Sequence, residues 1–210
     1  LKGRTMARKL TPKGKIVRRL GVNIYGNPKY DRLLADKAYP PGQHGNDRRR
    51  RETEYGRHLI EKQKIMFAYG LNERTMRKVF AKAKATKGQT GHNLLIGLEQ
   101  RLDNVVYRMR LASSRDQARQ FVRHGHITVN GKKVDIPSYI VKAGDSIAVK
   151  DKKSSKALIE RFVAENTNRE VPGWIVFAEK ELTGTIERLP ERSEIAIDAD
   201  EQLLVEFYSK

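Results

Sequence analysis

The clearest order in the chain is a stripe of apolar residues at helical spacing. Leu94, Leu95, Leu98, Leu102, Val105, Val106 and Met109 fall within an arc of roughly 120° when plotted at about 100° per residue. That spacing predicts one long helix with a buried face, from about Thr90 to Arg110. Two helices are expected before it. The first runs from about Thr53 to Tyr69 and stops at Gly70, because glycine readily adopts the left-handed cap. The second is capped by Asn72, keeps Met76, Val79, Phe80 and Ala83 on one face, and breaks at Lys87-Gly88-Gln89. A fourth helix opens at Ser114, three residues before Gln117, which is capping-box spacing. Ala118, Phe121 and Val122 form its apolar face, and Gly125 ends it.

After Gly125 the period changes to two. Ile127-Thr128-Val129 and Lys132-Lys133-Val134 flank Asn130-Gly131, the pair of residues best suited to the positive φ angles of a tight hairpin. A two-residue turn sets Ile127 opposite Val134. Short strands are expected at Tyr139-Ile140-Val141 and Ile147-Ala148-Val149, then a helix from about Ala157 to Glu165. Further strands are expected at Trp174 to Phe177, Thr185 to Leu189 and Leu203 to Phe207. Residues 1–52 hold few apolar anchors, and a polyanion is expected to order them. The pattern as a whole predicts an α+β protein: a helical N-terminal domain, a module of two helices on a small antiparallel sheet, and a tail that packs back. The expected boundaries are a basic extension over 1–52, helices over 53–98, the module over 99–163, and strands and tail over 164–210.

Charge narrows the function. The 210 residues carry 43 Lys and Arg against 25 Asp and Glu, a formal net charge of +18. Such an excess opposes the compact state by self-repulsion unless a polyanion relieves it. No apolar run approaches the roughly 20 residues of a spanning helix, so nucleic acid is a better partner than membrane. There is no cysteine, which rules out disulfides and thiolate metal sites and agrees with a reducing cytoplasm. The five histidines show no pairing at metal-binding helical spacing, so no metal and no cofactor is expected. Catalysis lacks a constellation: there is no phosphate-binding glycine loop and no nucleophile elbow. Arg101-Leu102-Asp103 resembles the string around the catalytic Asp of pseudouridine synthases, but Asn104-Val105-Val106-Tyr107 follows instead of small residues and glycine.

The candidate binding residues are basic. Arg115, Arg119 and Arg123 recur every four residues on the fourth helix, with Asp116 the only acid among them. They lead into His124, His126 and the hairpin lysines Lys132 and Lys133, a combination suited to a rigid basic wall. A charge run is usually a solvated face, but three arginines supply the planar forks that fit phosphate. Arg101 and Arg108 lie at the edge of the long apolar stripe, where a packed stem can present a charged head. Arg48-Arg49-Arg50-Arg51 follows the turn-rich Pro40-Pro41-Gly42-Gln43-His44-Gly45, and Arg57, Lys62 and Lys64 continue the basic surface. Aromatics do not interleave with these positions, so stacking on single strands is not favoured.

Three strings, Glu99-Gln100-Arg101-Leu102-Asp103-Asn104-Val105-Val106-Tyr107-Arg108, Ser114-Arg115-Asp116-Gln117-Ala118-Arg119-Gln120 and Val122-Arg123-His124-Gly125-His126-Ile127-Thr128-Val129-Asn130-Gly131, resemble the RNA-binding module of the family of the fourth small-subunit ribosomal protein. Pro40 to Gly45, Glu61-Lys62-Gln63-Lys64, Tyr69-Gly70-Leu71-Asn72-Glu73-Arg74 and the ending Leu204 to Lys210 resemble the rest of that family, from about Arg19 onward. The resemblance implies a structural protein of the ribosome in the cytoplasm. It would be a primary binder of small-subunit ribosomal RNA that nucleates assembly of the five-prime domain. Its implied partners are the fifth small-subunit ribosomal protein, an interface that influences decoding accuracy, and messenger RNA near the tunnel by which it enters. Some relatives hold zinc on N-terminal cysteines, which this chain lacks. The alternatives are a nonspecific RNA chaperone and an RNA-modifying enzyme carrying the same module.

If about 8 phosphates are neutralised, log affinity for RNA is expected to fall with log salt at a slope near −6 to −7. Replacing Arg119 by Ala is expected to weaken RNA binding by about 1–3 kcal/mol with little change in stability. Filter binding at several salt concentrations checks the first, and binding set beside thermal melting checks the second.

Overall fold

The computed structural model describes residues 11–47 and 53–209. The Arg48 to Arg51 run therefore lies outside the described residues. Among those described, the order is α1 (Lys13–Leu20), α2 (Pro28–Asp36), α3 (Glu54–Ala68), α4 (Glu73–Ala85), α5 (Thr90–Glu99), α6 (Leu102–Arg108), α7 (Arg115–Arg123), β1 (Ile127–Val129), β2 (Lys132–Lys133), β3 (Ser146–Val149), α8 (Lys153–Glu165), β4 (Ile175–Ala178), β5 (Thr183–Ile186) and α9 (Glu201–Ser209). They form two compact units, Leu1–Gly91 with Ile197–Lys210, and His92–Ala196. The fold is α+β, as the periodicity predicts.

The first unit is helical. Asn27, Thr53 and Asn72 cap α2, α3 and α4, each side chain accepting the N–H two or three residues on. Two helices, α1 and α2, occupy the segment expected to lack order. Ile16, Val17 and Leu20 bury one face of α1, and Pro28 sits at the first position of α2, where its missing N–H costs nothing. Arg18 pins the following loop to α1. Its Nε and Nη2 donate to the carbonyls of Tyr39 and Pro40 at 3.0 and 3.1 Å, and its guanidinium lies 4.5 Å from the centre of the Tyr39 ring. The loop is tight enough that a Cβ on Gly45 would run into the Pro40 carbonyl oxygen.

The end of the chain is a helix, not the expected strand. Leu203, Leu204, Phe207 and Tyr208 are spaced one and four apart, and Asp200 accepts the N–H groups of Gln202 and Leu203 at 2.8 and 3.4 Å. A cap and a helical face outweigh the strand preference of four apolar residues in so short a window. In α9, Tyr208 Oη donates to Glu73 Oε1 at 3.0 Å, and Glu206 pairs with His58 of α3 at 3.2 Å. The buried Lys62 of α3 reaches Glu73 at 2.9 Å and lies 4.4 Å from the Phe207 ring centre.

The second unit carries a five-stranded antiparallel sheet in the order β2-β1-β3-β5-β4. Its core joins Leu102, Val105 and Val106 of α6, Met109 just after it, Phe121 and Val122 of α7, Ile127 and Ile147 of the sheet, Ile159 of α8, and Trp174. Gly184 lets β5 run close to α6, since a Cβ there would overlap the Met109 side chain. The expected long helix is two helices here. Gln100 and Arg101 interrupt it, and Leu102 and Asp103 donate their N–H groups to the carbonyls of Tyr139 and Pro137 at 2.8 and 3.1 Å. The apolar stripe is buried on both sides of the break: Leu94, Leu95 and Leu98 before it and Leu102, Val105, Val106 and Met109 after it are all inaccessible to solvent. Tyr139 to Val141 forms no regular strand: it contributes a single bridge, Arg101 to Ile140, with Val141 N–H donating to the Gln100 carbonyl at 2.9 Å.

The Glu73 cluster in the first unit sets a pH dependence. Burial pushes its carboxyl pKa up, but hydrogen bonds from Lys62, Arg77 and Tyr208 outweigh that and hold it below the ordinary value. A carboxylate with a lower pKa in the folded than in the unfolded state stabilises fully above the unfolded value and loses this as pH falls through the folded one. The melting temperature should fall as pH drops from about 5 towards 3, and Glu73→Gln should make that fall shallower. Thermal melting across this range is the check, and identical slopes in the two proteins would remove Glu73 from the account.

Candidate nucleic-acid interface

The basic surface of the second unit begins at the cap of α7. Ser114 Oγ accepts the Gln117 N–H at 3.3 Å, while Gln117 Oε1 accepts the N–H of Ser113 at 2.8 Å. The helix therefore starts at a defined residue, which sets Arg115, Arg119 and Arg123 one turn apart along one side. The adjoining face buries Ala118, Phe121 and Val122. Gly125, at φ 70°, turns the chain into β1, and the Lys133 side chain lies across its bare Cα.

The hairpin has the expected register, with Val129 opposite Lys132 and Thr128 opposite Lys133. The Val134 N–H donates to the Ile127 carbonyl at 3.4 Å. Asn130 and Gly131 both take positive φ, 50° and 75°. The tip is fastened from the side: Asn130 Nδ2 donates to Asp145 at 2.8 Å, and Asn130 Oδ1 accepts the Ser146 N–H at 2.9 Å. Lys132 and Lys133 thus stand exposed on a rigid turn.

Two arginines of α7 are held by groups beneath them. Asp103, 3% exposed, accepts Arg119 Nε and Nη2 at 2.9 and 2.8 Å and Arg101 Nε and Nη2 at 3.1 and 2.9 Å. Glu99, 1% exposed, accepts Arg108 at 2.7 and 2.9 Å and Asn104 Nδ2 at 2.7 Å. Asn104 Oδ1 in turn accepts Arg115 Nε at 2.8 Å. The Arg115 guanidinium lies 4.6 Å from the Tyr107 ring centre, with Arg169 4.2 Å from the same ring. Two buried carboxylates against four arginines leave the cluster cationic, which suits an anion on its outer face.

This arrangement separates the candidates. Arg101 is buried and committed to Asp103, and Arg108 to Glu99, so both act as internal struts. Arg115 and Arg119 are partly exposed and oriented from behind, a preorganisation that lowers the entropic cost of meeting phosphate. Arg123, His124, Lys132 and Lys133 are exposed. His126 is half-buried, with Nδ1 3.0 Å from the Oγ of the buried Ser155. Burial, then the charges of His124, Lys152 and Lys150, push its pKa below the ordinary imidazole value. At neutral pH it therefore serves as a neutral hydrogen-bonding group and not as a cation. In the first unit Arg57 is exposed, Lys64 pairs with Glu61 at 2.7 Å, and Lys62 is buried against Glu73. Sequence reasoning did not single out Glu99, Asp103 and Asn104 as positioning groups. Their signal was three polar residues within six positions, 99–104, in the middle of a strongly apolar helical stretch. Among the described residues no group of acids and histidines is placed to hold a metal, and no helix is long and apolar enough to cross a membrane.

Arg119 thus has a structural share that its spacing did not reveal, and its replacement leaves a buried carboxylate short of a partner. Arg123 gives the cleaner measurement. Arg123→Ala should weaken RNA binding by about 1–3 kcal/mol at unchanged melting temperature. Asp103→Asn should lower both affinity and melting temperature, because two guanidiniums lose their charged partner. Isothermal titration and thermal melting of both variants decide this: an Arg123→Ala protein that binds normally would take α7 out of the interface.

The model of the ribosomal protein S4/S9 N-terminal domain matches residues 8–99, and that of the S4 domain matches residues 100–147. The small ribosomal subunit protein uS4 of Borrelia recurrentis (strain A1) is 50% identical over 206 residues, covering 98% of this chain and 99% of that protein. The protein of the same name from Latilactobacillus sakei subsp. sakei (strain 23K) is also 50% identical over 206 residues, covering 98% of this chain and 100% of that one. That of Borreliella burgdorferi (strain ZS7) is 49% identical over the same length. The S4-domain match takes in α6, α7 and the hairpin, where the paired arginines lie.

Proposed function

This chain belongs to the family of small ribosomal subunit protein uS4, and from that premise we propose that it binds small-subunit ribosomal RNA early in assembly and nucleates folding of the five-prime domain. It is a structural, non-enzymatic component of the small subunit, and its S4 domain binds ribosomal RNA. The observation that carries the early-binding reading is the rigidity of the α7 and hairpin surface. Its arginines are set by buried carboxylates and its lysines by a fastened turn, so the surface is ready before RNA arrives. The residues we assign to RNA contact there are Arg115, Arg119, Arg123, His124, His126, Lys132 and Lys133.

A second surface fits a protein partner. Between Glu165 and Ala196 seven acidic residues stand against four basic ones. One of the four, Arg169, is spent inside the fold on the carbonyls of Tyr107, Ala112 and Ser113. Strand β4 lies at the edge of the sheet, and Val176 and Leu189 nearby are 50% and 47% exposed. A face of this charge repels RNA and suits a basic protein. We assign it to the fifth small-subunit ribosomal protein, and with it a share in translational accuracy. Proximity to messenger RNA where it enters the subunit belongs to the same proposal and rests on family membership alone.

A titration of the pure chain against five-prime-domain RNA and a scrambled RNA of equal length tests the early-binding role. A preference of a hundredfold or more, about 2.7 kcal/mol, is expected. Equal affinity for both would mean that charge alone drives binding, as in a nonspecific chaperone.

A further inference from the structure

Arg169 stands in the turn after α8, where its own N–H donates to the Asn166 carbonyl at 3.1 Å. Its side chain is committed to the loop between α6 and α7, residues 109–114, and to the end of α6. Nη1 donates to the carbonyls of Tyr107 and Ala112 at 3.3 and 3.1 Å, and Nη2 to that of Ser113 at 3.2 Å. Asn166 reinforces the hold: Oδ1 accepts Arg169 Nη2 at 3.4 Å, and Nδ2 donates to Ser113 Oγ at 3.3 Å. Arg110 ties the start of the same loop to the same turn, with Nη1 donating to the Thr167 carbonyl at 3.2 Å. We propose that Arg169 is a positioning residue for RNA binding, which holds the guanidinium of Arg115 in the direction that meets RNA. This rests on the RNA-binding reading above and extends the working module past residues 100–147, the span of the S4-domain match.

Two routes lead from Arg169 to Arg115. The first is the backbone. Ala112 and Ser113 come just before Ser114, the cap of α7, and Arg115 is the first residue of that helix. Hydrogen bonds to those two carbonyls therefore fix the point from which the Arg115 side chain springs. The second route is the Tyr107 ring, which is 7% exposed. The Arg169 guanidinium lies 4.2 Å from its centre and that of Arg115 lies 4.6 Å away, so one electron-rich ring attracts both cations. Arg115 Nε also donates to Asn104 Oδ1 at 2.8 Å. A ring and an amide, each fixed in the fold, thus define how this guanidinium lies. Stability alone does not account for the place of Arg169. Burial pushes its pKa below the ordinary guanidinium value, and the charges of Arg115, Arg108 and Arg110 push the same way. A polyanion on the outer face relieves that repulsion.

Arg169→Lys is the informative change. It keeps the charge but replaces a planar fork with a single ammonium, which cannot serve three carbonyls and a ring face in one geometry. The full chain is compared as parent, Arg169→Lys, Arg115→Ala and the two together, by filter binding to five-prime-domain RNA at several salt concentrations and well below the melting temperature. Arg169→Lys should bind about fivefold or more weaker, with a salt slope smaller by about 1 despite its unchanged charge. Added to Arg115→Ala, it should cost less than about twofold more, because no Arg115 guanidinium remains to be placed. Tyr107→Leu, which keeps apolar bulk but removes the ring, is the second variant and should show the same dependence on Arg115. A loss from Arg169→Lys that adds in full to that of Arg115→Ala would leave Arg169 a packing residue and overturn the proposal. Parent affinity in both Arg169→Lys and Tyr107→Leu would overturn it too, while a loss in Arg115→Ala kept the RNA reading intact. If Arg115→Ala and Arg123→Ala both bind like the parent, the RNA reading of α7 fails and the positioning role goes with it.

Discussion

Glu99 and Asp103 are carboxylates with almost no access to water, and the second unit is arranged around giving them partners. Taking an ionised carboxylate out of water costs several kcal/mol unless cations and donors replace the lost hydration. Arg101, Arg108, Arg119 and Asn104 provide that replacement, with Arg115 attached through Asn104. The same contacts fix the direction of two arginines that face outward. Stability and recognition therefore share one set of bonds, and the arginines of α7 cannot be read as a solvated face. The interruption between α5 and α6 belongs to the same arrangement. It places Glu99 at the end of one helix and Asp103 in the first turn of the next, with the strand-like segment at 137–141 taking up the freed backbone groups.

Much of this was legible along the chain. The hairpin at Asn130-Gly131 followed from local turn chemistry, which depends on two residues and their neighbours and so survives any tertiary setting. The apolar stripe from Leu94 to Met109 placed a core face correctly but concealed a break, because hydrophobic period reports which side is buried and not whether the backbone is continuous. The helix at Glu201–Ser209 was hidden by its brevity: four apolar residues in seven satisfy either period, and only the Asp200 cap separates them. In the N-terminal segment α1 rests on three buried residues and α2 on one, too few to stand out among so many lysines and arginines.

The site was legible in part. Spacing alone brought Arg115, Arg119 and Arg123 to one side of a helix and the lysines to a turn. It did not reveal that Arg101 points inward, because an arginine beside an apolar stripe looks the same whether it extends to solvent or folds onto a carboxylate two residues away. Nor did it reveal the pairing of Tyr208 with Glu73 or of Glu206 with His58, which joins residues far apart in the chain. Such pairings are products of long-range closure, and no local window contains them.

The placement of α9 bears on how the molecule is made. The first unit needs residues on both sides of the second: α3 emerges early during synthesis, while α9, which packs on it, is made more than a hundred residues later. The second unit is formed by His92–Ala196, so all of its residues are synthesised before α9. The apolar flank of α3 then waits uncovered for the time needed to synthesise more than a hundred residues. Closing so long a loop adds little to the final entropy, since that term grows only with the logarithm of loop length. Its effect is on timing. The residues that build the arginine-carboxylate cluster are all in hand before the first unit can close α9 onto α3.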